Sequence, residues 1–143
     1  MEDKIRVIKI SSAEELATAH EIRRIVFVIE QNCPPELEWE HEEESIHFLA
    51  FFNENPCGTA RWRKTSNGYK LERFAVLKEF RKKGVAGALI QAVLDDLPED
   101  NLPRYLNAQV EAIPVYEKFG FRIRGELFEE AGILHKQMVQ QRI

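Results

Sequence analysis

The 143 residues include 20 lysines and arginines against 24 aspartates and glutamates, a formal charge of −4, and 44% are apolar. That length suits one domain, 1–143, with enough apolar material for a single core, and the acidic balance argues against a broad nucleic-acid-binding surface. No apolar run approaches the ~20 residues of a membrane span, and MEDKIRVIKI lacks a secretory apolar stretch. Cys33 and Cys57 form no CxxC pattern, so neither a disulfide framework nor a zinc ribbon is expected. A soluble, cytoplasmic chain is the expectation.

Residues 5–10 mix apolar and charged side chains as a short strand. Ser12-Ala13-Glu14-Glu15 has the form of a capping box, which satisfies orphan donors at a helix start. Leu16, Ala19, Ile22, Val26 and Ile29 follow at helical spacing, and Pro34-Pro35 stops the helix. The stretch from Glu36 to Glu44 holds six glutamates around Trp39 and His41 and reads as a loop or short exposed helix. Residues 46–52 are apolar on both faces, as in a central strand. Asn53 to Pro56 make a turn, and a second strand runs from Gly58 to Lys64. Asn67-Gly68 is a strong hairpin signal because both residues tolerate positive φ, and Tyr69 to Val76 return. Gly84 to Leu97 form a helix with Val85, Leu89, Ala92 and Val93 inward. A strand over 105–109, a helix over 113–119 closed by Gly120, and strands over 121–126 and 133–139 complete the chain. The order β-α-β-β-β-α-β-α-β-β is a mixed α/β layer fold.

The most informative stretch runs from Val76 to Gly87. It joins a strand to a helix whose start is bracketed by Gly84 and Gly87. Unpaired N–H groups of a first helical turn favour an anion, and small residues let one approach closely. Lys78, Arg81, Lys82 and Lys83 crowd a helix end whose dipole repels cations, a conflict that a bound phosphate resolves. The competing reading is a solvated basic helix start, since Asp95 and Asp96 near the other end also oppose the dipole.

Arg81-x-x-Gly84-x-Ala86 resembles the Arg/Gln-x-x-Gly-x-Gly/Ala signature of the GNAT N-acyltransferase superfamily. Two later segments follow in the family's order: Asn107-Ala108-Gln109, then Ala112 to Phe121 with its Tyr116-x-x-x-Gly120-Phe121 pattern. Phe27–Gln31, Arg61–Arg63, Leu71–Arg73 and Gly132–Met138 are similar to the small bacterial ElaA-like subgroup. The resemblance implies a mixed, mostly antiparallel central sheet flanked by helices and an acetyl-CoA-dependent N-acetyltransferase acting on a small primary amine. It implies direct attack in a ternary complex; from the charge balance, the lack of a membrane-length apolar run and the lack of a metal-ligand spacing, no nucleic-acid, membrane or metal partner is expected, and a homodimer stays open. It also implies that Phe74, Ala75 and Val76 line pantetheine, that Arg81, Lys82, Lys83, Gly84, Val85, Ala86 and Gly87 hold the pyrophosphate, and that Asn107 hydrogen-bonds in the cleft. The rival is a GNAT-fold domain that binds or senses acyl-CoA without turnover.

Acyl transfer from a thioester needs a neutral amine, a stabilised oxyanion and a leaving thiolate that can take a proton. Tyr116 is the candidate acid, against a plain reading as a core-edge packer. Glu72 is the candidate base, on a face shared with Phe74 and Val76. Against it, a two-residue Asn67-Gly68 turn puts Arg63 opposite Glu72, and an ion pair lowers a carboxyl pKa. Glu30 and His135 are further base candidates. The acidic segment either attracts a cationic amine such as a polyamine or lysine side chain, or is a solvated loop. An amino sugar phosphate is a further acceptor class. Glu40, His41, Glu44 and His47 have no diagnostic metal spacing.

Overall fold

The computed structural model describes residues 2–35 and 40–141. Strand β1 (Ile5–Lys9) leads into helix α1 (Ala13–Arg23). Ser12 caps α1 through its hydroxyl, which accepts the Glu15 N–H at 3.1 Å, while the Glu15 carboxylate accepts the Ser11 N–H at 2.8 Å. The reciprocal half of the capping box thus reaches one residue further back than its usual target. From Arg24 to Glu30 the coil widens into a π-helical segment. The looser winding departs from the 3.6-residue period, so Ile29, expected on the inner face, is 57% exposed while Phe27 is buried.

Next come β2 (Ile46–Phe52), β3 (Asn55–Thr65) and β4 (Gly68–Val76) as an antiparallel meander. Asn53 and Glu54, both at positive φ, make the first turn alone, so β3 begins earlier than the composition of 53–56 implies. The second turn also differs from expectation. Thr65 pairs with Gly68, leaving Ser66-Asn67 at the tip and placing Arg61, not Arg63, opposite Glu72. Gly68 is used instead for close approach: a Cβ there would lie 2.2 Å from the Pro103 carbonyl oxygen, which accepts the Tyr69 N–H.

Helix α2 (Val85–Asp96), β5 (Arg104–Gln109), α3 (Ile113–Glu117), β6 (Phe121–Ile123), β7 (Phe128–Glu130) and β8 (Ile133–Gln140) follow. The strands form one sheet in the order β1-β2-β3-β4-β5-β8-β6, with β7 also paired to β8. Among the described strand pairs only β4 and β5 run parallel. Strand β7 is an addition to the order read from the sequence, and β6 stops three residues earlier than the expected 121–126. Asp96, which opposes the dipole of α2, accepts Lys9 and the Trp62 indole, so its charge is held by tertiary partners. None of the described helices is long and apolar enough to cross a membrane.

Two apolar layers sandwich the sheet. On one face Val85, Leu89 and Val93 of α2 and Ile113 and Tyr116 of α3 pack on Phe48, Ala60, Leu71, Leu106 and Met138. On the other, Ala19, Ile22, Val26 and Phe27 cover Leu49 and Ala75. Both layers lie beside the place where the sheet divides.

Candidate active site

Strands β4 and β5 pair only through Tyr69–Arg104 and Lys70–Tyr105. Beyond that point they part, and a cleft of about 660 Å³ opens through the sheet. The divergence has a local cause. Between Thr59–Ala75 and Arg61–Glu72, β4 carries one residue more than β3, and Arg73 at φ 58° absorbs it as a bulge. The extra residue also reverses the alternation of faces. Glu72 shares its face with Ala75 and Arg61, under α1, while Phe74 packs on Tyr116 on the opposite side. The expected common face of Glu72, Phe74 and Val76 is therefore corrected.

Glu72 stands among cations. One oxygen accepts Arg61 Nε at 3.0 Å and Arg63 Nε at 2.8 Å; the other lies 3.3 Å from Lys70 Nζ. Burial pushes its pKa up, but Arg61, Lys70 and Arg63 outweigh that and hold it at about 2. A carboxylate held there has little affinity for a proton at neutral pH, which argues against Glu72 as the base. Arg61 also donates to Glu42 at 2.8 Å, and Glu42 pairs in turn with Arg23 and His20. Glu42 is thus an internal counter-ion, neither a solvated loop charge nor an open lure for a cationic amine. Glu36, Glu38 and Trp39 of the same acidic stretch lie outside the described residues. Nδ1 of His41 bonds Glu44, and Nε2 of His47 bonds the Glu42 carbonyl.

Tyr116 reaches the cleft from α3. Its ring stacks edge-on against Phe74 and Phe121, and burial pushes the phenol pKa up, so the hydroxyl stays protonated. Among the described residues that hydroxyl has no hydrogen-bond partner. On β5, the Oδ1 atom of Asn107 is buried in the cleft wall and likewise unpartnered. A buried acceptor without a donor is costly, and a ligand N–H in the cleft would satisfy it.

Where β4 ends, Gly84 caps α2 at φ 91°, a left-handed conformation that suits glycine. The first helical bond runs from the Ala88 N–H to the Gly84 carbonyl, so the N–H groups of Val85, Ala86 and Gly87 have no helical acceptor. A Cβ at Gly84 or Gly87 would meet nothing closer than 3.6 Å and 3.7 Å, so both glycines leave open backbone. The basic side chains divide unequally. Arg81 is engaged within the protein: Nε donates to the Val76 carbonyl at 2.9 Å and both terminal nitrogens to Glu30 at 2.7 Å. That pairing lowers the Glu30 pKa, so this candidate base is also held charged. Lys83 lies over the Phe52 ring, and Lys82 is exposed at φ 64°.

A strand pair that parts at a bulge, beside a glycine-capped helix start, matches the motifs quoted above, and the family model described as an acetyltransferase (GNAT) domain covers residues 12–141. The chain belongs to the GNAT acetyltransferase family. It is 41% identical over 130 residues to the uncharacterized N-acetyltransferase YjcF of Bacillus subtilis (strain 168), covering 89% of this chain and 93% of the relative. The crystal structure of Escherichia coli ElaA matches 98% of this chain and all of its own, with a TM-score of 0.79 and 25% identity. A GNAT family acetyltransferase from Elizabethkingia anophelis, solved with acetyl-CoA bound, shares the fold at a TM-score of 0.69 and 16% identity over 94% of each chain. The expected GNAT fold, ElaA-like likeness and acyltransferase activity thus stand.

The cleft also holds contacts that the motifs alone do not show. Gln31 and Gln109 exchange side-chain hydrogen bonds of 3.3 and 3.1 Å across its mouth, joining the π segment to the end of β5. Glu130 enters from β7, a strand missed in the sequence.

Proposed function

We propose that the whole chain is one acetyltransferase domain that moves an acetyl group from acetyl-CoA to a primary amine by direct attack within a ternary complex. The observation that carries this is the unpartnered Asn107 Oδ1 in the opening between β4 and β5. The edge of Phe74, Ala75 and Val76 that faces away from β3 offers backbone groups to the pantetheine arm, and Asn107 offers an acceptor for one of its amide N–H groups. Lys82, Lys83 and the backbone of Gly84, Val85, Ala86 and Gly87 receive the pyrophosphate. Arg81 acts one step removed, holding the end of β4 and the π segment together. The Tyr116 hydroxyl donates to the departing sulfur. Desolvation in the same cleft raises the proton affinity of thiolate and phenolate together, which keeps that donation feasible.

Acetyl-CoA titration followed by thermal unfolding tests the reading. At about 100 times the dissociation constant the fold gains about 2.7 kcal/mol. No stabilisation at millimolar acetyl-CoA overturns the proposal. Release of free CoA with a panel of amines separates transfer from binding without turnover.

A further inference from the structure

We propose that His135 is the general base of the transfer: its Nε2 takes the proton of the acceptor ammonium. The inference rests on the transferase reading above and adds the group that reading lacks. His135 sits on β8 opposite Gln109 of β5 and lines the cleft. Its side chain is on the α1 side of the sheet with Asn107 and Gln109, as the strand register requires, whereas Tyr116 belongs to the layer on the other side. Acid and base thus approach the opening from opposite faces of the sheet.

The tautomer is set by a bond. Nδ1 lies 2.7 Å from the Ile133 carbonyl oxygen, which can only accept, so Nδ1 carries the hydrogen and neutral Nε2 presents its lone pair. Among the described residues Nε2 makes no hydrogen bond. Glu130 Oε2 lies 3.8 Å from it, too far for a hydrogen bond and close enough to stabilise an imidazolium. The Phe128 ring, 5.7 Å away between centroids and nearly parallel, fixes the plane of the imidazole. The other charged or titratable groups lining the cleft are Glu111 from the turn after β5, the Glu30–Arg81 pair, Glu72 with Arg61, Arg63 and Lys70, Arg73 of β4, and Glu40 and His41. Competing bases are already engaged: Glu72 by three cations, Glu30 by Arg81.

The proton balance closes. The ammonium loses two protons on its way to an amide. The first passes to Nε2 and leaves to solvent when the imidazolium is deprotonated. The nitrogen lone pair then adds to the acyl carbon and the C=O pair moves onto oxygen; its return breaks the C–S bond and releases the sulfur. The second proton is the one the sulfur keeps, supplied by the Tyr116 hydroxyl, which solvent reprotonates from the nitrogen.

The test is His135→Asn, whose amide replaces the Nδ1–H donor to Ile133 and removes the base; His135→Gln serves if the first variant does not fold. Lysine, spermidine, glucosamine 6-phosphate, a lysine peptide and hydroxylamine are the acceptors assayed. For the ammonium acceptors kcat/KM falls about 10²–10⁴-fold, its acid limb is lost, and the acetyl-CoA dissociation constant holds. Hydroxylamine, neutral at the assay pH, is acetylated by the variant at close to the wild-type rate. A folded variant that keeps wild-type turnover and the acid limb overturns the assignment of His135 alone. Acetyl-CoA binding with no wild-type turnover on any of these acceptors overturns the transfer reading, and this proposal with it.

Discussion

Replacing Glu72 by glutamine keeps the side-chain volume and removes one charge from the buried cluster. Arg61 and Arg63, each 2.8 Å from one shared oxygen, then face a neutral amide, and Lys70 loses its counter-charge at 3.3 Å. Two routes give the cost. A carboxyl held at about 2, against its ordinary 4.5, corresponds to about 3 kcal/mol at roughly 1.4 kcal/mol per pH unit. Removing one partner of a buried pair, here with Arg61 only 1% exposed, costs about 3–5 kcal/mol. The variant is therefore less stable by about 3 kcal/mol at neutral pH, and its melting midpoint falls by roughly 10 °C. The sign with pH follows from the depressed value. The stabilisation is complete above the ordinary 4.5 and is lost as pH falls toward 2, so the gap between the two proteins closes over that interval. Urea unfolding followed by circular dichroism at a series of pH values measures it. A gap below about 1 kcal/mol at neutral pH, or one that does not narrow in acid, refutes the cluster as described.

Tyr116→Phe keeps the ring packed on Phe74 and Phe121, so turnover falls about 10²–10⁴-fold while the acetyl-CoA dissociation constant holds; wild-type turnover where chemistry is rate-limiting makes Tyr116 a packing residue. Gly84→Val has room for its Cβ but disfavours φ 91° by about 1–2 kcal/mol, so the free variant relaxes from that angle, acetyl-CoA must restore it, and binding by isothermal calorimetry weakens about tenfold. Normal affinity in the folded variant moves the pyrophosphate elsewhere. Gly58→Ala pushes a methyl to 3.1 Å from the Ala75 carbonyl oxygen, Leu89 and Val85, and chemical denaturation shows a loss of about 1–3 kcal/mol; unchanged stability means that α2 can move off β3.

The limits of sequence reading fall at particular backbone positions. Signals that depend on one residue's chemistry were legible: the Ser12 cap, the apolar run of β2, and Gly84 at the start of α2. The resemblance of Arg81–Gly87 and Tyr116–Phe121 then led to the fold. The misses share a different cause. Ala131-Gly132 turns β7 into β8 with both residues at positive φ, but alanine announces no such turn, so β7 and Glu130 went unseen. Asn67-Gly68 looked like a turn, yet Gly68 answers to the Pro103 carbonyl across the sheet, a contact no local window contains.

The bulge at Arg73 has the largest functional consequence. Period-two reasoning puts Glu72 beside Phe74 and Val76 and so nominates it as a base on the cofactor side. One arginine at φ 58° reverses that assignment. Glu72 lies under α1 among Arg61, Arg63 and Lys70, and the bulge follows the last β4–β5 pair, Lys70–Tyr105, by three residues. The widening of the cleft and the separation of Glu72 from the face of Phe74 thus fall within one short stretch of β4. A cleft made this way has to draw its base from another strand. The side chain we propose for that role is His135, which lines the cleft with Nδ1 bound to Ile133 and with no hydrogen bond to Nε2 among the described residues. On the proposed reading, the inserted residue in the cleft wall also shifts the proton chemistry from β4 to β8.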